Sequence, residues 1–353
     1  MKPKSLIFDL HRWAGLLFGA ILLVIGLTGS AIVFWQELDP QVYPELYRNS
    51  GKPTASLERV IAAAQATVPK IRPTGVTRQE ENIYMVHFTT PDQLSLDVFV
   101  DPLTYTVRGQ RIFQQSFFGL LYSLHYQLLA GEAGEWVTGI TAIMLMVLSF
   151  SGLVLWPGWK KWKAGTSLRW RSNTRILAFD IHKLTGLFAL LFLVILGATG
   201  TYFTFNEPLR AAIYTITGTP QMPKLASKPI PGRSPLGADV LLAKAKPHVG
   251  DAELRGFYWS DKADAVGRVV LSIPGEGAAN SLLNIYLDRY SGEVLQVQDA
   301  RRPNTAELVL NWVGPLHFGT FAGVFSQIMY LFIGLAPGGL FLTGFWLWLK
   351  KLR

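Results

Sequence analysis

Long apolar runs divide the chain and predict its membrane segments. Four runs carry no charged residue, and they cover 13–35, 136–159, 184–206 and 308–349. A helix that crosses a membrane needs about 20 mostly apolar residues, so the pattern predicts four transmembrane helices. The last run is too long for one crossing, because a helix rises about 1.5 Å per residue and the hydrocarbon core is only about 30 Å thick. Its first part, around Pro315 and His317, is expected outside the membrane or along its face.

Two polar stretches between these runs, 38–111 and 207–307, have the pattern of small α+β modules. Each contains a segment with helical spacing of apolar residues, SLERVIAAAQATV in the first and ADVLLAKAKPHV in the second. Segments in which apolar and polar residues alternate follow, such as ENIYMVHFTT and GRVVLSIPG, and this alternation is typical of strands.

The basic residues indicate how the chain is oriented. Hydrophobic residues make up 50% of the chain and charged residues 16%, which is typical of a membrane protein. The two ends and the segment after the second run carry 13 basic residues against Asp9 and Asp180, whereas the rest carries 20 basic and 22 acidic residues. Because basic loops stay in the cytoplasm, we expect a multi-pass protein of the bacterial inner membrane, with cytoplasmic termini and outer modules. Orientation in lipid explains the basic excess, and no nucleic-acid partner is expected.

A six-span alternative has to be weighed against this topology. Residues 112–131 are also uncharged and could be counted as a further span. A span there would place the lysine-rich segment 160–175 outside, against the charge rule. An interfacial or tilted helix is therefore preferred for 112–131.

The sequence thus predicts seven segments. They are a first transmembrane helix (1–37), a first outer module (38–111), an interfacial helix plus the second transmembrane helix (112–159), a basic cytoplasmic loop (160–178), a third transmembrane helix (179–206), a second outer module (207–307), and an outer histidine segment plus the fourth transmembrane helix (308–353).

Four histidines occupy matched positions of an internal duplication. His11 in FDLHRWAGL and His182 in FDIHKLTGL lie 171 positions apart, and His125 and His317 lie 192 positions apart. Glycines match at the same offsets, as the pairs Gly15 and Gly186, Gly29 and Gly200, and Gly152 and Gly344. Ionisable residues at membrane segments are costly and usually functional. Each pair is expected at one depth, where two histidines can bind one metal from opposite sides.

This ordered arrangement resembles the PepSY-associated transmembrane family. The likeness rests on the H-x-x-x-G start of both odd spans, the helix-then-strands modules, the D-x-x-x-G-x-V hairpin and the G-x-x-x-W ends of both even spans. The first module departs from the hairpin pattern, since Asp101-Pro102-Leu103-Thr104-Tyr105 lacks the glycine. The fold class implied is membrane α-helical, with four transmembrane helices, internally duplicated, and two small α+β PepSY-like outer modules.

The resemblance implies a di-haem inner-membrane reductase of ferric siderophores. Two b-type haems would each have two histidine ligands, His11 with His182 and His125 with His317. Gly15 and Gly186 lie four residues after their histidines, on the same helix face, and leave room for a planar ring. Haem propionates need cationic or hydrogen-bonding partners. Arg12 and Lys183 suit the cytoplasmic haem, and Tyr122, Tyr126 and Arg111 are candidates for the outer one.

Other residues limit the chemistry. The chain has no cysteine, which excludes c-type haem attachment and cysteine-bound iron–sulfur clusters. It has no dinucleotide fingerprint in a strand–turn–helix context, so electrons would come from a cytoplasmic reductase or a quinol. His87 and His248 belong to neither pair and are expected to be structural or solvent-facing.

Two other functions remain open from the sequence. The outer modules could form a periplasmic binding or regulatory module that non-redox helices anchor. The histidines could instead relay a metal ion or protons through a permease. A haem spectrum of the purified protein would separate the electron conduit from both.

The charge distribution predicts the side on which each loop lies. We expect a reporter fused at Gly51 to be exported, and reporters fused at Arg171 and Arg353 to remain in the cytoplasm. Export of the Arg171 fusion would contradict the four-span topology and support the six-span one.

Overall fold

The computed structural model describes residues 3–51, 56–79 and 82–352. Met1, Lys2 and Arg353, which belong to the basic ends counted above, lie outside the described residues. The chain divides into two compact units. A helical unit comprises the chain up to Phe34, Leu121–Ile213 and the chain from Trp312, and a sheet unit comprises Trp35–Leu120 and Tyr214–Asn311.

Helices account for most of the chain. They are α1 (Pro3–Ala31), α2 (Trp35–Val42), α3 (Pro44–Tyr47), α4 (Leu57–Thr67), α5 (Phe117–Gln127), α6 (Gly131–Leu155), α7 (Trp162–Thr166), α8 (Thr174–Thr204), α9 (Asn206–Ile216), α10 (Ala238–Ala245), α11 (Thr305–Phe318), α12 (Gly323–Ile333) and α13 (Ala336–Leu352).

Four stretches of helix within the described residues are long and apolar enough to cross a membrane. They are Pro3–Ala31, Gly131–Trp159, Thr174–Thr204 and Gly323–Lys350. The four predicted spans are thereby confirmed, and the protein is a multi-pass membrane protein. In the last span, α12 and α13 are separated by a turn at Gly334 and Leu335.

The segment 112–131 forms a short helix that is separate from the second span. Helix α5 has 11 residues and is about 16 Å long, which is too short to cross a core of about 30 Å. Leu128, Leu129 and Gly131 all have positive φ, and this corner ends α5 before α6 begins. Helix α11 ends at a similar corner, where Gly319 and Gly323 have positive φ.

The sheet unit contains one antiparallel sheet of eight strands. The strands are β1 (Pro73–Arg78), β2 (Tyr84–Thr89), β3 (Ser95–Val100), β4 (Val107–Ile112), β5 (Glu253–Tyr258), β6 (Gly267–Ser272), β7 (Leu282–Leu287) and β8 (Val294–Asp299), in the order β4-β3-β2-β1-β5-β6-β7-β8. The predicted modules are thus two halves of one sheet, and β1 pairs with β5 between them. Helices α4 and α10 cover one face over a core that includes Val60, Val98, Leu241 and Ile285.

The hairpin that lacks the glycine still forms the same turn as its counterpart. In both turns, one oxygen of the first aspartate, Asp101 or Asp288, accepts two backbone N–H groups. Tyr105 has φ of 57° where Gly292 has φ of 73°. Tyr105 therefore adopts the left-handed conformation that glycine adopts most readily.

The Asp101 carboxylate is buried and fully hydrogen-bonded. It accepts from the backbone of Leu103 and Thr104 and from the side chains of Ser50 and Arg108. Burial alone would raise the pKa of Asp101. These hydrogen bonds, the one from Arg108 foremost, outweigh burial and hold the pKa at about 2.

A depressed carboxyl pKa stabilises the fold above the unfolded pKa, and this stabilisation is lost as the pH falls toward the folded pKa. We expect Asp101 alone to remove about 2 kcal/mol from the free energy of unfolding between about pH 5 and pH 2. Thermal unfolding followed by circular dichroism should show a smaller acid-induced drop in Tm for Asp101→Asn than for the wild type. An equal drop in both proteins would contradict this assignment.

Candidate functional site

The four predicted histidines form two facing pairs inside the helical unit. His11 in α1 and His182 in α8 have ring centroids 6.2 Å apart, and His125 in α5 and His317 in α11 have centroids 6.3 Å apart. Two imidazoles that bind one metal ion from opposite sides, at about 2 Å per metal–nitrogen bond, have centroids about 6 Å apart. Both pairs therefore have the spacing of bis-histidine ligation.

Each histidine is bound through Nδ1 to a hydroxyl on a neighbouring helix. The four Nδ1–oxygen distances are 2.8 Å for His11 and Ser151, 3.0 Å for His182 and Thr343, 3.3 Å for His125 and Thr28, and 2.9 Å for His317 and Thr199. In addition, Nδ1 of His125 donates to Ile25 O at 2.9 Å and Nδ1 of His182 donates to Leu340 O at 3.1 Å. A carbonyl oxygen only accepts, so these two rings carry their proton on Nδ1.

The hydroxyls assign the same tautomer to all four rings. Each hydroxyl donates to the carbonyl four residues earlier in its own helix: Val24 for Thr28, Val147 for Ser151, Ile195 for Thr199 and Gly339 for Thr343. This is the usual bond of a serine or threonine within a helix. Since its hydrogen is used there, the oxygen accepts from Nδ1–H of the histidine. The lone pair of every Nε2 is then left for a ligand.

A glycine follows each of these hydroxyl residues and lies against the histidine ring. A Cβ at Gly29 would lie 2.8 Å from Cε1 of His125, and a Cβ at Gly152 would lie 3.3 Å from Cε1 of His11. Gly200 and Gly344 lie in the same way beside His317 and His182. These glycines were predicted from their matched positions and the hydroxyls were not, although the residue before each glycine is serine or threonine at both offsets.

The two pairs lie at different depths of the bundle. Thr28 follows His11 by 17 positions in α1, and Thr199 follows His182 by 17 positions in α8. At about 1.5 Å per residue this is about 25 Å along each helix, close to the roughly 30 Å of a hydrocarbon core. The pairs therefore lie near opposite boundaries of the membrane-spanning region.

A largely apolar cavity of 1090 Å³ opens at the His11 and His182 pair, between α1, α6, α8 and α13. Gly15 and Gly186 line this cavity. A Cβ at Gly15 would have its nearest neighbour at 3.8 Å, and one at Gly186 would have its nearest neighbour at 3.6 Å. Both glycines therefore keep a face of the cavity open beside the histidines, and this suits a planar macrocycle.

Five basic residues line this cavity, and its lining within the described chain contains no carboxylate. They are Lys4, Arg12, Arg169, Arg175 and Lys183. Arg12 pairs with Asp9 at 3.0 Å, and its buried Nε has no acceptor among the described residues. The lining can therefore accept an anionic group.

The structure gives Lys183 a different role from the predicted one. Its Nζ donates to Ala164 O at 2.8 Å, to Ser167 O at 2.9 Å and to Asp180 Oδ1 at 3.0 Å. An ammonium group has three donors, and all three are used. The lysine therefore holds the loop before α8 and has no donor left for a propionate.

The residues predicted to bind the propionates of the outer haem, Tyr122, Tyr126 and Arg111, have different surroundings in the structure. Tyr122 lies three residues before His125 and is 40% exposed, with its ring 6.1 Å from the ring of Tyr126. The Tyr126 hydroxyl donates to Glu135. Arg111 forms a buried ion pair with Asp39 in the sheet unit, so its guanidinium is engaged there. Tyr122 remains a prediction.

The two unpaired histidines lie in the sheet unit. His87 binds Asp97 through Nδ1 and Thr77 through Nε2, both at 2.9 Å, whereas His248 is exposed in a turn after α10. Neither lies near a second histidine, as expected from the offsets.

A comparison with known families accounts for nearly the whole chain. Residues 8–351 match the family described as the PepSY-associated TM region. The chain belongs to this family. The uncharacterized protein PA4219 of Pseudomonas aeruginosa is 24% identical over 260 residues, which are 66% of this chain and 63% of that protein. The chain therefore spans less than two thirds of this relative.

The hydroxyl bonds of this PepSY-associated protein predict a measurable effect on ligand binding. Thr199→Val keeps the shape of the side chain and removes the acceptor of His317 Nδ1–H. Loss of such a supporting bond weakens metal binding about 10- to 100-fold, so a haem ligated by His317, as the family resemblance implies, would be retained less well in the purified variant. The matched control is Thr201→Val, because Thr201 is also buried and donates only within α8. Equal haem contents in the two variants would contradict the role of Thr199.

Proposed function

We propose that this protein is an inner-membrane electron conduit that holds two b-type haems and reduces a ferric siderophore in the periplasm. One observation carries the proposal. Two histidine pairs with free Nε2 atoms, each at the spacing of bis-histidine ligation, lie about 25 Å apart, as measured along α1 from His11 to Thr28 and along α8 from His182 to Thr199. The family resemblance described above supports the same function.

The residues of the chain would supply binding and orientation. His11 with His182, and His125 with His317, would be the axial ligands. The four hydroxyls fix their rings, and hydrogen bonds of this kind raise the basicity of a ligating imidazole. Arg12, which lines the cavity beside His11, would bind a propionate. When bound, haem supplies reversible one-electron chemistry at its iron.

The histidine rings are half-buried among largely apolar helices. A low dielectric strengthens the hydrogen bonds that orient them. His125 and His317 pack against Gly29 and Phe203 respectively. We infer that these contacts would hold the rings in one orientation when the charge of a bound haem iron changes.

The direction of transfer follows from the charge distribution. The basic ends and the 160–175 segment belong to the end of the bundle that carries His11 and His182. By the charge rule this end is cytoplasmic, where a soluble reductase or a quinol would donate electrons. His125 and His317 would then lie toward the periplasm, which holds the acceptor.

The overall reaction releases iron from its carrier. One electron converts Fe(III) of the siderophore to Fe(II). Siderophores hold iron through hard oxygen donors, which suit Fe(III) and bind the softer Fe(II) far less well. Reduction therefore frees the iron without a catalytic acid, base or nucleophile.

We expect the purified protein to contain two b-type haems per chain. His11→Ala or His182→Ala should remove one haem, and His125→Ala or His317→Ala should remove the other.

The dithionite-reduced wild type should be reoxidised by a ferric siderophore, with Fe(II) captured by a ferrous chelator. His317→Ala should abolish this reoxidation while the remaining haem stays bound and reducible.

The control for these variants is His248→Ala, which changes an exposed histidine outside both pairs and should keep both haems. A colourless wild type that survives extraction would contradict the conduit and favour the binding module or the permease. Full-rate reoxidation in His317→Ala would show that electrons do not leave through this pair. If no ferric chelate reoxidised the wild type, the acceptor would not be a siderophore.

A further inference from the structure

The face of the sheet opposite α4 and α10 carries a row of aromatic and basic side chains on β5, β6 and β7. Tyr258 on β5 pairs directly with Arg268 on β6, and Arg268 pairs directly with Tyr286 on β7. Side chains opposite one another on adjacent antiparallel strands lie on the same face, about 5 Å apart. The Arg268 guanidinium lies over the Tyr258 ring, with its central carbon 5.0 Å from the ring centroid. One exposed cation therefore lies between two aromatic rings.

This row forms the floor of an open cavity of 380 Å³, at the lower end of the range for small-ligand sites. Three cations line it, Lys224, Lys262 and Arg268, against a single carboxylate, Asp264. Its aromatic lining consists of Tyr258, Trp259 and Tyr286. The cavity combines positive charge with aromatic surface, and both are open to solvent.

The three cations are available to a ligand. Within the described residues, no ion pair joins Lys224, Lys262 or Arg268 to a carboxylate. This distinguishes them from other arginines of the sheet unit, such as Arg108 and Arg111, whose guanidinium groups are bound by buried aspartates. An anion entering the cavity would therefore gain partners without breaking an existing ion pair.

The aromatic rings are held in place before any ligand binds. The Tyr286 hydroxyl donates to Gln298 at 3.0 Å. The Tyr258 ring lies over Gly75, where a Cβ would come within 2.7 Å of it, and is stacked on His87 at 6.3 Å with an interplanar angle of 11°. His87 is itself fixed by Asp97 and Thr77. A preformed site of this kind loses less entropy when it binds a ligand.

We propose that this cavity binds iron chelates that are both anionic and aromatic, of the catecholate or phenolate class. Its identity as the substrate site rests on the function proposed above. Iron(III) held by three catecholates keeps a net negative charge and presents flat rings, whereas iron(III) held by three hydroxamates is neutral and has no rings. Lysine and arginine attract the charge, and the aromatic rings and Arg268 stack on the flat faces. The site therefore selects between siderophore classes.

A redox-inert probe tests this binding separately from electron transfer. We would titrate the full-length protein with the gallium(III) tris-catecholate complex, following tryptophan fluorescence and calorimetry, with the gallium(III) tris-hydroxamate complex as the comparison. We expect the catecholate complex to bind more tightly, and its affinity to fall as salt is added. Equal affinity for both complexes would overturn the proposal.

Variants at Arg268 locate the site. Arg268→Gln should weaken catecholate binding at least tenfold, as expected for loss of a hydrogen bond to a charged group, and Arg268→Lys should keep part of the affinity. Arg301→Gln is the control, because Arg301 is an exposed arginine paired with Asp299 and does not line the cavity. Unchanged binding in Arg268→Gln would overturn the proposal.

The two proposals can fail independently. Gallium catecholate binding by the wild type, without reoxidation by the ferric form, would refute electron delivery and leave the binding site intact. Reoxidation by a ferric hydroxamate, with no gallium catecholate binding, would refute this cavity and leave the conduit intact.

Discussion

The structure of the helical unit depends on four hydrogen bonds between histidine Nδ1–H and a serine or threonine hydroxyl. A polar group inside an apolar bundle is costly unless it has a partner. Because each hydroxyl already donates to its own helix, it can only accept from the histidine, and this single constraint fixes the tautomer. It also joins helices, since His125 is bound to α1 and His317 to α8. These bonds thus link α5 to α1 and α11 to α8, and they also leave four Nε2 lone pairs available.

Helices α1 and α8 each contribute a residue to both histidine pairs. Each carries a histidine near its start and a threonine 17 positions later that supports the other pair. The distance between the pairs is therefore set by the rise of two continuous helices, which are among the stiffest elements available. Small residues make the required contacts possible, since a Cβ at Gly26 would lie 2.4 Å from Gly334 O. A substitution that bends either helix would change the two sites together.

The sequence predicted the helical unit well wherever it offered a long apolar run or two matched positions of the internal duplication. The spans, the histidine pairs and the cavity glycines all follow from apolar length or from the two offsets. Ser151 and Thr343 also match at the second offset, but hydroxyl side chains are common, and their bonds to His11 and His182 depend on which helices are neighbours. Strand β1 was likewise not predicted from the sequence, because its Pro73 and Gly75 are poor strand formers. Gly75 is required because Tyr258 covers it, and this long-range contact belongs to the very strand pair that joins the two halves of the sheet.

The distribution of charge along the sequence explains only part of the cavity that lies at the His11 and His182 pair. It assigns Arg169 and Lys183 to the basic side that is expected in the cytoplasm, but it cannot show what they bind. In the structure, the buried Asp180 accepts from both, through Nε of Arg169 at 2.8 Å and Nζ of Lys183 at 3.0 Å. These two cations are therefore used to hold the 157–173 loop to α8. The positive charge still available to an anion in the cavity comes from Lys4, Arg12 and Arg175. Arg12 is the one that follows a paired histidine directly in the sequence, so a cation that could bind an anion and a histidine that could bind a metal lie on the same turn of α1.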